Sequence, residues 1–161
     1  MSTTETVTVT TVVALDPATA FSIFTEEIGT WWQPKVRNLF GENHSGRMKF
    51  EAGPGGRLLE EYAGSQQQPF VVGRILTWAP GERLVFEWRE SSFGPNELTE
   101  VEVCFEAVKG GTRVTLEHRG WDAFPAGHKA RLGYKGDAFV SMIGLRWADL
   151  LTAFRPSKAL N

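Results

Sequence analysis

The chain has a single cysteine, Cys104, so it can form no internal disulfide. Its three histidines, His44, His118 and His128, fall into no CxxC or HExxH spacing, so no metal site and no cofactor is expected. There is no GxxxxGK[ST] phosphate loop and no GxSxG nucleophile elbow. Gly53-Pro54-Gly55-Gly56 is glycine-rich, but it joins two strand-like segments and reads as a turn. Charge of one sign is also missing: 17 Lys and Arg stand against 19 Asp and Glu, a net charge of −2. That balance excludes a generic electrostatic nucleic-acid binder. Apolar runs are short, far below the ~20 residues that span a bilayer, so no membrane role is expected. Met1 to Thr4 supply neither a basic nor an apolar leader, and a cytoplasmic location is the expectation.

What is abundant is the aromatic ring: six Trp and eleven Phe, with only two Tyr, in 161 residues. A chain of this length is expected to form one domain, residues 1–161 with a core over about 5–155, and needs no staple to fold. Whether the rings only fill that core, or also line a cavity, is the question the sequence poses.

Thr6 to Ala14 alternate with period two and are β-branched, which predicts a strand. Asp16-Pro17 then supplies an N-cap and a proline at the first helical position. Ala20, Phe21, Phe24 and Ile28 predict an amphipathic helix that ends at Gly29. Trp31-Trp32-Gln33-Pro34 reads as a short helical turn or loop. Adjacent residues do not ordinarily share a face, so one of Trp31 and Trp32 is expected under the sheet and the other at a rim.

Six further strands follow: Arg47 to Ala52, Arg57 to Tyr62, Phe70 to Trp78, Arg83 to Arg89, Thr99 to Glu106 and Thr112 to His118. A loop from Gly64 to Pro69 divides the second and third of these, and Lys109-Gly110-Gly111 makes a hairpin turn before the last. Clean alternation in these strands implies an antiparallel sheet with one wet face. From Asp137 to Arg155 a helical stripe returns through Phe139, Ile143, Trp147, Leu150, Leu151 and Phe154, and Pro156 stops it. The order predicts an α+β fold: a curved sheet of about seven strands around a long C-terminal helix, with one or two short helices after strand 1.

Parity places Phe50, Phe86, Trp88, Val103, Phe105 and Leu116 on the covered face, with Phe139, Ile143 and Trp147 opposite them on the last helix. Each is either plain core or the wall of an apolar pocket. His118 shares the parity of Val114 and Leu116, beside the loop that carries Trp121. It is a histidine satisfied at the sheet edge, or a polar anchor or acid/base in a pocket. Glu60 shares the parity of Leu58 and Tyr62. We expect it solvated; pointing inward, it would need a partner, because a lone buried carboxylate costs several kcal/mol. Both inward, His118 and Glu60 would suffice for general acid/base chemistry. Trp121 is a gate or a hydrophobic plug. Cys104 alternates with Glu102 and Glu106 and reads as an incidental outward thiol, and Glu100, Glu102 and Glu106 as the wet face.

The ordered motifs Val7-x-Val9, Asp16-Pro17-Ala18-Thr19-Ala20-Phe21, Gly29-Thr30-Trp31-Trp32-x-Pro34, Gly55-Gly56-Arg57 with Glu60, Gly73-Arg74-Ile75, Trp78-x-Pro80-x-x-Arg83-Leu84-Val85-Phe86-x-Trp88, Thr99-Glu100-Val101-x-Val103-x-Phe105 and Gly111-Thr112-Arg113-Val114-x-Leu116-x-His118 make the chain similar to a known group. It resembles the START-like superfamily (SRPBCC, helix-grip or Bet v-type), in the branch of the activator of heat-shock protein 90 ATPase homologues. The resemblance implies the helix-grip fold over residues 5 to 155. Asp122 to Gly136 departs from the usual brief link into the last helix. Three functions are compatible. The first is a binding module for a small lipid-like or aromatic ligand, contacted by Trp32, Phe50, Glu60, Phe86, Trp88, Val103, Phe105, Leu116, His118, Trp121, Phe139, Ile143 and Trp147. The second is a cavity enzyme of the cyclase or hydrolase type, using His118 and Glu60. The third, from the family resemblance alone, is an interaction domain for a chaperone partner. Oligomeric state is left open.

Overall fold

The computed structural model describes residues 5–32, 46–62, 68–90, 92–125 and 127–154. The Gln33-Pro34 turn, the start of the Gly64 loop and the Pro156 stop lie outside them. Strand β1 (Val7–Val13) leads into helix α1 (Pro17–Glu26) and the single turn α2 (Ile28–Trp31). Strands β2 (Arg47–Phe50), β3 (Arg57–Glu61), β4 (Phe70–Ala79), β5 (Arg83–Trp88), β6 (Thr99–Val108) and β7 (Gly111–Arg119) follow. Two 3-10 turns, Trp121–Ala123 and Lys129–Arg131, precede helix α3 (Gly136–Phe154).

The seven strands form one antiparallel sheet in the order β1-β7-β6-β5-β4-β3-β2. Its covered face packs on the helices, which is the helix-grip architecture. Asp16 starts α1 by accepting the Thr19 backbone N–H at 3.2 Å, and Pro17 follows it, as the sequence predicts. Register shifts bend the sheet in β3 and β4. Near the first, Gly73 runs so close to β5 that a Cβ would lie 1.6 Å from the Glu87 carbonyl oxygen, so only glycine fits.

The core is the shared interior of the sheet, α1 and α3. Leu84, Phe86, Trp88, Val101, Val103, Leu116, Phe139 and Trp147 are all 0% exposed. Each large ring removes about 150–250 Å² from water, on the order of 4–6 kcal/mol of transfer free energy before ordering entropy is subtracted. The outer face is charged as predicted. Arg119 bridges Glu100, Glu102 and Glu117, and Arg83 meets Glu102. Cys104 is half-buried beside Glu102, and burial pushes its thiol pKa up, away from nucleophilic use.

The tryptophan pair differs from expectation. Trp31 and Trp32 are both buried, with ring centroids 5.7 Å apart. The helix ends between them: Trp32 has φ −95° and ψ 78°, outside the helical region, which turns its ring inward beside its neighbour. Trp31 in turn donates its indole N–H to the Ile23 and Phe24 carbonyls at 3.2 and 3.3 Å, near the C-terminus of α1.

Candidate functional site

Three strands and the last helix converge on His118. In β6–β7 register His118 faces Val101, and Thr99 lies two residues along, within diagonal reach. In β5–β6 register Thr99 faces Trp88. The Trp147 indole N–H points at His118 Nδ1, 3.0 Å away, and His118 Nε2 is 2.7 Å from Thr99 Oγ1. Because an indole nitrogen only donates, Nδ1 must be the acceptor, and the proton of the neutral ring sits on Nε2. Nε2–H therefore donates to Thr99 Oγ1, and the Thr99 hydroxyl donates onward to the Trp88 carbonyl at 3.3 Å. Burial pushes the His118 pKa down to about 3, so the imidazole is neutral at ordinary pH.

The rings of Trp88, Trp121 and Trp147 surround this histidine at centroid distances of 5.6, 4.9 and 5.8 Å. Trp32 stacks on Trp88 at 5.8 Å and meets Trp147 edge-on at 5.6 Å. Trp88 Nε1 donates to the buried Glu90 carboxylate at 3.0 Å. Four tryptophans, one neutral histidine and Phe139 thus form a continuous aromatic chamber between sheet and helix. Trp32, Trp88, His118, Trp121, Phe139 and Trp147 are each 0% exposed, so no water-sized space opens onto them in this conformation. A ligand reaching them must displace rings.

The described residues of 121–136 close the chamber. Gly120, at φ 103°, turns the chain out of β7 in a conformation that favours glycine, and Trp121 and Phe124 fold inward. Arg131 latches the segment. It donates to the Trp121 carbonyl at 2.9 Å, to the Phe124 carbonyl at 2.8 and 3.1 Å, and to both oxygens of Glu5. Its guanidinium also lies 4.7 Å from the Phe139 ring centroid. Glu5 reaches the start of α3 as well, accepting the Gly136 N–H at 3.1 Å. The Arg131 hydrogen bond holds the Glu5 carboxyl below its usual range.

Glu60 is 0% exposed rather than solvated, and accepts the Gly46 N–H at 2.9 Å. Strand parity turns it inward, and Gly46 leaves it room: a Cβ there would lie 2.3 Å from Glu60 Cγ. The structure does not bring Glu60 and His118 together. Three strands separate β3 from β7, and both imidazole nitrogens are engaged by Thr99 and Trp147. Phe50 and Phe105 lie at the other end of the interior, with Phe86 beside Phe50 and Phe24 beside Phe105. Val103, Leu116 and Ile143 are buried core. Sequence reasoning missed Thr99 and Glu90, although both share parity with inward neighbours. It also missed the Glu5–Arg131 latch, whose members lie 126 residues apart and carry no local signal.

Two open grooves lie elsewhere. One of about 380 Å³ runs between α1 and β2, past Thr25, Gly29, Arg47 and Phe50. One of about 470 Å³ lies along the outer side of α3, past Tyr134, Met142 and Leu145. Among the described residues no cluster of three potential metal ligands occurs, and no helix is long and apolar enough to cross a membrane.

A seven-strand antiparallel sheet gripping a C-terminal helix, with aromatic side chains between them, defines a helix-grip domain. Residues 14–138 match the family described as Activator of Hsp90 ATPase homolog 1-like protein, and the chain belongs to that family. Solved structures share the fold at low identity. Protein CV1439 from Chromobacterium violaceum is 18% identical, with TM-score 0.63, covering 97% of this chain and 99% of that one. The Aha1 dimer from Colwellia psychrerythraea is 12% identical, with TM-score 0.63 and 96% of each chain covered. DynU16, of the dynemicin biosynthetic locus, is 14% identical with TM-score 0.59; 93% of this chain matches 45% of that one. No curated protein matches the sequence.

Proposed function

We propose that the domain is a small-molecule binding module that takes an apolar or aromatic metabolite between the covered face of the sheet and α3. The carrying observation is the aromatic chamber itself: Trp32, Trp88, Trp121 and Trp147 around a neutral His118. Binding sites for such ligands are mostly apolar and aromatic, with a few placed polar groups. The chamber is closed by a separate segment, 121–136, held by Arg131 and by the contacts of Asp122 with Glu5 and of His128 with Glu97, so entry requires release of that segment rather than disruption of the sheet. The family membership and the shared fold of DynU16, from a biosynthetic locus, agree with this reading.

Tryptophan fluorescence reads the chamber directly. Titration with a panel of fused-ring aromatic compounds and fatty acids is expected to give saturable quenching or a spectral shift for at least one class. Native mass spectrometry of protein from its own host is expected to retain a small molecule. Linear, non-saturating responses throughout, with an unliganded mass, would sink the proposal.

A further inference from the structure

Several polar atoms of the chamber are matched. His118 Nδ1 accepts from Trp147, His118 Nε2 donates to Thr99, and the Trp88 N–H meets Glu90. Trp121 differs from these. Its side chain is fully buried, and its Nε1–H has no hydrogen-bond partner among the described residues. The ring is packed among other rings: His118 at 4.9 Å, Phe139 at 4.9 Å, Phe124 at 5.4 Å and Phe93 at 5.7 Å. The one nearby nitrogen able to accept, His118 Nδ1, is already used by Trp147. A buried donor left in this way is costly, and such groups persist in folded proteins for a reason.

We infer that the Trp121 indole N–H is the polar anchor of the binding chamber, and that the ligand is a neutral, ring-bearing molecule presenting a hydrogen-bond acceptor such as a ketone, ether or phenol oxygen. The inference rests on the binding reading above and narrows its ligand class. The unmatched group is a donor, so the ligand supplies the acceptor. A neutral acceptor is favoured over a carboxylate, because the Arg131 guanidinium beside Trp121 is committed to Glu5 and to two carbonyls, and a carboxylate buried without a cation partner is costly. Trp121 also sits on the closing segment, immediately after the Gly120 turn.

The test is a matched pair of probes, 2-acetylnaphthalene and 2-isopropenylnaphthalene, which have nearly the same shape but differ by one acceptor oxygen. Calorimetry on the full chain is expected to show wild type preferring the ketone about tenfold. In Trp121→Phe the preference is expected to vanish, with the ketone weakened and the hydrocarbon within about twofold of wild type. In wild type the Trp121 indole 1H–15N cross-peak is expected to move downfield with the ketone and not with the hydrocarbon, a readout independent of how well the variant folds. Equal binding of both probes by wild type, a preference that survives Trp121→Phe, or an unmoved cross-peak would each overturn this inference and leave the binding reading standing. If neither probe binds wild type, this inference falls, and the fluorescence panel and native mass decide the binding reading separately.

Discussion

At the residue scale, His118 is the side chain whose role the structure changes most. A histidine on an inward strand face invites a catalytic reading, yet each nitrogen is committed and burial holds the ring neutral. That arrangement has a thermodynamic signature. The unfolded chain takes up a proton near pH 6.5, whereas the folded chain refuses it until about 3. The stability tied to the neutral ring is therefore complete above about pH 6.5 and is lost as pH falls towards 3, at up to about 1.4 kcal/mol per unit. Urea unfolding at pH 7 and pH 5.5 is expected to differ by about 1 kcal/mol in wild type. His118→Gln is expected to lose that difference from a lower starting stability; an unchanged difference would show that another group titrates. Trp121 presents the opposite case, a donor whose burial without a partner costs about 1–3 kcal/mol.

At the element scale, the segment between β7 and α3 is tied down by the Arg131–Glu5 pair and by His128 on Glu97. Arg131 is buried and Glu5 partly buried, so removing Glu5 leaves the arginine's charge stranded, unlike the exposed pair between Arg57 and Glu51. Glu5→Ala is expected to cost about 3 kcal/mol, with hydrogen exchange accelerated over 121–136 and little changed in β5, β6 and β7. Uniform acceleration would mean that the latch supports the whole fold rather than the closing segment. Acid acts in the same direction in a lower window. The Glu5 carboxyl is held below its ordinary value, so its contribution is present above that value and fades as pH falls through the lowered one.

At the scale of the whole molecule, a ligand held between sheet and α3 stabilises both. A compound found by the fluorescence screen, at one hundred times its Kd, is expected to add about 2.7 kcal/mol, or roughly 5–10 °C in Tm. Because a ligand seated in the groove beside Leu145 would raise Tm equally, the site is read from hydrogen exchange: slowing centred on β5, β6, β7 and the Trp121 turn is expected, and slowing confined to the outer side of α3 would place the compound in that groove instead. The sheet, its wet face and the long helix were legible in the sequence because they follow from periodicity. Period-two alternation in Arg83–Trp88 and Thr99–Val108 and the stripe through Phe139, Trp147 and Phe154 reflect burial on one side only. Even Thr99 and Glu90 carried the right parity and needed only to be read as polar members of an apolar face. Other features had no such signal. The inward turn of Trp32 depends on where α2 stops, which single-residue patterns do not resolve. The Glu5–Arg131 latch joins positions that only the closed fold brings within hydrogen-bond reach. By itself the sequence determined which faces are apolar, because side-chain period is a local property of helix and strand. Tertiary structure alone decided that the imidazole is spent on Thr99 and Trp147 while the Trp121 N–H is left over, because hydrogen-bond pairing is settled by three-dimensional proximity across four separate elements.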